Sequence, residues 1–130
     1  MEPILSSEKV TIGGQVVTVR ELSALEYLDY MDYVNSVDTP EELLEGSSPK
    51  AQQKHLLGWR RVTLLAHSRL VAYGLASEDI GEAQKAIQQQ YNTVALQQLN
   101  EVVARLSGFA LDVDQEGAGP AESQEVDTKK

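Results

Sequence analysis

A pair of glycines near the start of the chain separates two short runs of alternating apolar and polar residues. Residues 9–12 precede Gly13-Gly14, and residues 15–19 follow it. Glycine supplies the positive φ angles that a two-residue hairpin turn needs, so the sequence predicts a β-hairpin over residues 9–19. A lone two-stranded hairpin is only marginally stable in water. It must therefore pack on helices of the same chain or join the sheet of a neighbouring subunit.

Helix start and stop signals follow the hairpin and predict four or five helices. Ser23 can cap the first helix, which we expect to end near Ser36. Thr39-Pro40, with Glu42 as the reciprocal capping residue, predicts a short second helix that ends at Gly46. The predicted fold class is thus mainly α (α+β), with the N-terminal hairpin followed by packed helices.

The longest helix is predicted to begin at Ser48-Pro49 and to stop at Gly74. Its apolar residues recur at helical spacing, so we expect it to be the core helix. The residues of this stripe are Leu57, Trp59, Val62, Leu64, Leu65, Ala66, Leu70, Val71, Ala72 and Tyr73. Two further helices are predicted to begin at Ser77 and at Thr93, and the second of these ends at Gly108.

The composition of the chain changes sharply after residue 111. Residues 112–130 mix acidic side chains with glycine and proline, and they cannot bury enough apolar surface to fold. We therefore predict one helical domain over residues 1–111 and a disordered acidic tail over residues 112–130. The chain has no cysteine, no signal-peptide pattern and no apolar run long enough to span a membrane, so we expect a soluble, intracellular protein.

The net charge of −9 is distributed unevenly along the chain. Residues 1–49 carry a net charge of −8, whereas residues 50–76 carry +5 and no acid. Such a split permits head-to-tail packing of identical subunits, although the two regions could also pair within one subunit. Lys50, Lys54 and Arg61 fall on one side of the long helix and are possible subunit contacts. The alternative is a nucleic-acid-binding regulator that uses the basic helix 50–69, which the acidic total charge disfavours.

The chain offers little that suggests catalysis. His55 and His67 lie on one helix about 18 Å apart, so they cannot share a metal or a proton. Glu26, Asp29 and Asp32 recur at helical spacing, and we expect them to form an exposed, solvated face. No phosphate loop or nucleophile elbow is present, so we predict no enzyme, no cofactor and no metal.

The first helix carries more apolar and aromatic residues than one buried face of a small domain needs. Tyrosine is enriched at protein interfaces, so this helix is the predicted partner-binding surface. Its candidate contact residues are Tyr27, Tyr30, Met31, Tyr33 and Val34. The alternative is that the tyrosines cover the core and keep their hydroxyl groups in water.

Three short motifs occur in order along the chain: residues 21–25 (Glu-Leu-Ser-Ala-Leu), residues 102–108 (Val-Val-Ala-Arg-Leu-Ser-Gly) and residues 118–122 (Ala-Gly-Pro-Ala-Glu). With the hairpin and the acidic tail, they resemble the tail-assembly chaperone of lambda-like long-tailed bacteriophages, the minor tail protein G family. Residues 37–92 show little that can be aligned with the family. The resemblance therefore carries no residue roles into that region.

The resemblance implies a chaperone that acts in the cytoplasm of the host and is absent from the finished virion. Such a protein coats the long apolar tape-measure protein, and we expect it to self-associate as a ring or spiral. The resemblance also implies that a ribosomal frameshift near the end of the gene yields an extended form that recruits tail-tube subunits. The terminal Thr128-Lys129-Lys130 is compatible with an adenine-rich slippery sequence, although two lysines can equally be a plain polar terminus.

Overall fold

The computed structural model describes residues 4–109, which form an antiparallel hairpin followed by four helices. The elements are β1 (Ser7–Ile12), β2 (Gln15–Arg20), α1 (Ala24–Ser36), α2 (Pro49–Gly74), α3 (Ile80–Gln90) and α4 (Thr93–Leu106). The predicted mainly α fold with an N-terminal hairpin is confirmed. The tail predicted over residues 112–130, and the end of the domain predicted at residue 111, lie outside the described residues.

The hairpin has the register that the glycine pair dictates. Ile12 pairs with Gln15, and both Gly13 (φ +56°) and Gly14 (φ +82°) adopt the left-handed conformation of a tight turn. One face of the hairpin packs on α2 and α4 of the same chain, where Val19 is fully buried. The marginal stability of an isolated hairpin is therefore overcome within the subunit.

The core lies between the C-terminal part of α2, helix α4 and strand β2. Its largest fully buried side chains are Tyr73, Leu70, Leu99, Val19, Val71 and Val103. Helix α2 has 26 residues, and those that are buried, Ser68 and residues 70–74, all lie in its second half. The predicted core stripe is therefore wrong in the first half of α2. Leu57 there is 60% exposed and Trp59 is 43% exposed.

The short helix predicted between Thr39 and Gly46 is absent from the structure, and this prediction was wrong. The segment is irregular and ends in a turn at Gly46 (φ +81°). A helix of this length needs tertiary packing, and Leu43 and Leu44 remain exposed. Pro40 instead packs against α2, where a Cβ on Gly58 would lie 2.7 Å from Pro40 Cγ.

Three other predicted helix boundaries differ from the structure. Helix α3 is capped by Asp79 rather than Ser77, and α4 by Asn92 rather than Thr93. In each case the side-chain oxygen accepts a backbone N–H of the first turn, which Asp and Asn do as well as Ser. Gly74 is the last residue of α2 rather than its stop, and the left-handed residue is Ala76 (φ +59°).

Gly74 is required for the close approach of two helices. A Cβ at this position would lie 2.5 Å from Val103 Cγ2 of α4 and 3.4 Å from the backbone oxygen of Arg20. Real Cβ atoms do not approach other heavy atoms this closely, and Val103 is fully buried in the close-packed core, which opposes its displacement. The glycine therefore sets the distance between α2, α4 and β2.

The corner between β2 and α1 is held by a capping box and an ion pair. Ser23 Oγ accepts the Glu26 N–H at 3.2 Å, and Glu26 Oε1 accepts the Ser23 N–H at 2.9 Å. Arg20 donates two further hydrogen bonds to the Glu26 carboxylate at 2.8 and 2.9 Å. The hydrogen bond from Arg20 is the main cause that holds the pKa of Glu26 below its ordinary value.

We predict that Gly74→Ala lowers the free energy of unfolding by about 1–3 kcal/mol, because the methyl group overpacks the contact with Val103. Gly81→Ala is the matched control, since its Cβ would meet nothing closer than 3.7 Å. The control should leave stability unchanged or raise it by up to about 1 kcal/mol. Urea unfolding compares the two. Equal stabilities would contradict a close approach at Gly74.

We predict that Glu26→Gln destabilises the protein at neutral pH and that this difference shrinks in acid. The native pKa of Glu26 is lowered, so its stabilisation is fully present above the unfolded-state pKa and is lost as the pH falls through the native value. Urea midpoints measured from pH 7 to pH 3 test this. A difference between wild type and variant that stays constant over that range would contradict it.

Candidate partner-binding surface

Helix α1 has an inner and an outer side. Glu26, Tyr30, Tyr33 and Val34 are half-buried on the inner side. The outer side carries Leu25, Leu28 and Met31, which are 77%, 64% and 37% exposed. No residue of α1 is fully buried. The helix therefore presents an apolar row, Leu25-Leu28-Met31, that its own chain leaves uncovered within residues 4–109.

Polar contacts hold the middle of α1 against α2 and α3. The Tyr73 hydroxyl donates to Asp29 Oδ2, and Arg69 approaches the same oxygen at 3.4 Å. The Arg69 guanidinium lies 4.5 Å from the centre of the Tyr33 ring, and Gln84 Nε2 donates to the Tyr33 hydroxyl at 2.9 Å. These hydrogen bonds and the cation–π contact fix which side of α1 faces outward.

Two of the three carboxylates that we expected to be merely solvated have structural roles. Glu26 caps α1 and binds Arg20, whereas Asp29 accepts the hydroxyl hydrogen of a tyrosine in the core. Burial, and then the bond to Asp29, raise the pKa of Tyr73 to about 12, so its hydroxyl stays protonated and able to donate. Asp32 is exposed as expected.

The three tyrosines of α1 differ in exposure. Tyr27 is 40% exposed and stacks on Phe109, with ring centres 5.3 Å apart. Tyr30 also contacts Phe109, at 5.8 Å, and burial raises the pKa of its hydroxyl. Phe109 is the last described residue, so the chain leaves the described fold beside the start of α1.

The five residues predicted to bind a partner differ in how exposed they are. Tyr27 and Met31 lie at the border of the outer side, whereas Tyr30, Tyr33 and Val34 are half-buried. The sequence-based interpretation missed Leu25 and Leu28, which are the most exposed apolar residues of the helix. Their spacing of three residues, carried on to Met31, was a usable signal. Asp29 and Asp32 beside them made that side look like a solvated face.

A groove runs beside this apolar row. It has a volume of about 540 Å³ and lies between the start of α1 and the end of α4, where Tyr27, Leu28 and Gly108 are among its lining residues. Leu22 forms part of its wall, and the Leu22 N–H donates to Ser107 Oγ at 3.0 Å. Leu28 belongs to both the row and the groove, and we call the two together the α1 surface.

A second exposed region is the N-terminal half of α2. Lys50, Lys54 and Arg61 lie along one side of it, and all three are exposed. Within residues 4–109, no carboxylate lies within 4 Å of these residues or of Arg60. Arg69 does pair with Asp29. Pairing of the acidic and basic regions within the subunit is thus limited to Arg69 in this part of the chain.

The two histidines have different surroundings. His55 accepts the Trp59 Nε1–H at 3.2 Å on exposed α2, whereas His67 is half-buried in a groove of about 230 Å³ between α2 and α4. Burial lowers the pKa of His67. Among residues 4–109, no three side chains of the metal-ligating types are grouped to hold an ion. In the same range, no helix combines the length and apolarity needed to cross a bilayer.

Comparison with known protein families gives a match over almost the whole chain. The profile of the family described as "Bacteriophage lambda tail assembly chaperone, TAC, protein G" matches residues 4–128. Neither the curated proteins nor the solved structures that were compared gave a match. The matched range includes the hairpin, all four helices and the acidic C-terminal segment. The chain therefore belongs to the lambda tail assembly chaperone family, protein G.

Proposed function

We propose that this chaperone binds the tape-measure protein during tail morphogenesis and keeps it soluble, and that the α1 surface makes the contact. The observation that supports this most strongly is the row of Leu25, Leu28 and Met31, exposed on a helix that polar contacts hold in place. Large exposed apolar side chains grouped beside a groove are typical of a protein-binding surface.

The chemistry of this surface suits an apolar helix as its ligand. An amphipathic helix can lay its apolar side against Leu25, Leu28 and Met31 while part of it fills the adjoining groove. Burying each leucine would contribute about 1.5–3 kcal/mol. The acidic side chains around the surface and the net charge of −9 would keep the complex in solution.

The five residues predicted from the sequence have different roles in this proposal. Tyr27 and Met31 contact the tape measure at the edge of the α1 surface. Tyr30, Tyr33 and Val34 act from beneath, because their half-buried side chains set the orientation of the helix. A change at Tyr33 would act through the loss of its contacts with Arg69 and Gln84.

Several copies would be needed to cover a long ligand, and we propose that they associate as a ring or spiral. Lys50, Lys54 and Arg61 are the proposed subunit contact. They are exposed and have no acidic partner within residues 4–109. The acidic N-terminal half of the next subunit supplies the opposite charge. Such a contact joins two different surfaces, which generates rings or helical assemblies.

We also propose where the protein acts and how an extended form contributes to tail assembly. The protein acts without enzymatic activity in the cytoplasm of the host, and it is absent from the mature virion. A frameshift-extended form recruits tail-tube subunits. The gene tests this directly, because a slippery heptamer at the codons of Thr128-Lys129-Lys130 should precede an overlapping downstream frame. A gene without either feature would contradict the extended form.

We predict that Leu25→Asp with Leu28→Asp abolishes solubilisation of co-expressed tape-measure protein, because two charges would be placed on the apolar row. The control is Val94→Asp, since Val94 is 65% exposed on α4, away from the α1 surface. The soluble fraction of the tape measure is measured after centrifugation, and circular dichroism checks that each variant is folded. Equal solubilisation by the double variant and the control would contradict the proposal.

We predict that Lys54→Glu with Arg61→Glu weakens self-association and leaves the protein folded, because both side chains are exposed. Lys85→Glu on α3 is the control, as it changes an exposed cation elsewhere. Sedimentation velocity over a range of concentrations measures the effect. A wild type that stays monomeric with and without tape-measure segments would contradict the subunit contact. Salt-sensitive DNA binding lost in the double variant would favour the nucleic-acid alternative.

A further inference from the structure

No residue in the first half of α2 is buried, whereas Ser68 and residues 70–74 are buried in its second half. We call residues 49–61 the α2 arm. It carries Lys50, Lys54, Arg60 and Arg61, and within residues 4–109 none of these cations has a carboxylate within 4 Å. Leu56, Leu57 and Trp59 are exposed among them. The arm thus combines four positive charges with uncovered apolar side chains.

The part of the chain beyond the described fold has the opposite charge. Residues 110–130 contain two lysines and six acids, which are Asp112, Asp114, Glu116, Glu122, Glu125 and Asp127. No other stretch of the sequence outside residues 4–109 carries more than one acid, because residues 1–3 contain only Glu2. Because no carboxylate of residues 4–109 lies within 4 Å of the four cations, residues 110–130 are the most acidic stretch outside the described fold that could pair with the arm within one chain.

The tail begins close enough to reach the arm. Phe109 rests on Tyr27 and Tyr30 of α1, and Tyr33 lies one helical turn beyond Tyr30. Tyr33 and Arg61 line the same groove, between the end of α1 and the middle of α2. From Phe109, 21 residues can span up to about 70 Å, which is longer than α2 itself.

We infer that residues 110–130 bind in cis across the α2 arm, with their carboxylates paired to Lys50, Lys54, Arg60 and Arg61. Each pair is exposed and individually weak, so the contact depends on several pairs at once and on the high local concentration of a tethered segment. It must also weaken with salt, because exposed charges are screened.

This inference goes beyond the proposed function, since it needs neither a tape measure nor a second copy. It also deepens one part of that function. Because Lys50, Lys54 and Arg61 are the proposed subunit contact, the tail would occupy that contact in a free subunit, and the next subunit would have to displace it. The same acids would repel nucleic acid from α2, the one helix of residues 4–109 with a positive net charge.

The chain has no cysteine, so a single introduced thiol can carry a spin label at one known position. We expect a nitroxide on Ser123→Cys to reduce the amide signals of residues 50–61 by at least half in dilute full-length protein at low salt. Signals of the hairpin turn at residues 12–15 should be unaffected. The effect should disappear at about 1 M NaCl, where the Debye length is about 3 Å.

A charge-matched pair of variants separates tail binding from total charge. Glu122→Gln, Glu125→Gln and Asp127→Asn in the tail should restore most of the lost signal. Glu78→Gln, Glu82→Gln and Glu101→Gln change the net charge equally at exposed positions of the fold and should not restore it. The spectrum of each variant shows directly whether the domain is folded.

Three results would overturn the inference. One is signal loss spread evenly over the surface, and another is loss that survives high salt. The third is loss in a mixture of isotope-labelled protein without spin label and unlabelled protein with it, because the tail would then occupy another copy. All three are read on the free chaperone. A failure of tape-measure binding or of self-association would leave this result unaffected.

Discussion

The close contact between Gly74 of α2 and Val103 of α4 is the constraint on which the rest of the structure depends. With Val103 seated where a Cβ would otherwise stand, the end of α2 lies near enough to α4 to enclose Leu70, Val71 and Tyr73 completely. The backbone oxygen of Arg20 lies beside the same glycine, so the hairpin is drawn into this packing. The buried part of the fold is thus concentrated at one end of a 26-residue helix.

The way α1 attaches to that core follows from the same geometry. Tyr73 belongs to the packed end of α2, and its hydroxyl reaches out to Asp29 on α1. Arg69, one turn earlier, contacts both Asp29 and Tyr33. Because these polar contacts add to the packing of the inner side, α1 is held in place without burying Leu25 or Leu28. Leu25 and Leu28 therefore remain outward and available to another protein.

Local signals in the sequence predicted the local parts of the structure. The Gly13-Gly14 turn, the Ser23 N-cap and the Ser48-Pro49 helix start each depend on neighbouring residues only, and all three are confirmed. The short helix after Thr39 was wrong because a cap pattern cannot supply the burial that a short helix needs. Gly74 was wrongly predicted as the stop of α2 and Trp59 as a core residue, for a different reason. Both outcomes depend on where α4 crosses α2 and on how much of α2 the shorter helices α3 and α4 cover, and no local signal encodes this.

The candidate site could be predicted only in part, because it too depends on contacts between residues that are far apart in the sequence. The surplus of apolar residues on α1 was visible in the sequence, but the side that faces outward is decided by contacts to Arg69, Tyr73 and Gln84, which are 40 to 51 residues away along the chain. The most direct test of the account is site-specific photocrosslinking from position 28 in cells that co-express the tape measure. A crosslink to the tape measure from position 28 and none from position 94 is the predicted result. Equal crosslinking from both positions, or from position 94 alone, would contradict a tape-measure site on the α1 surface.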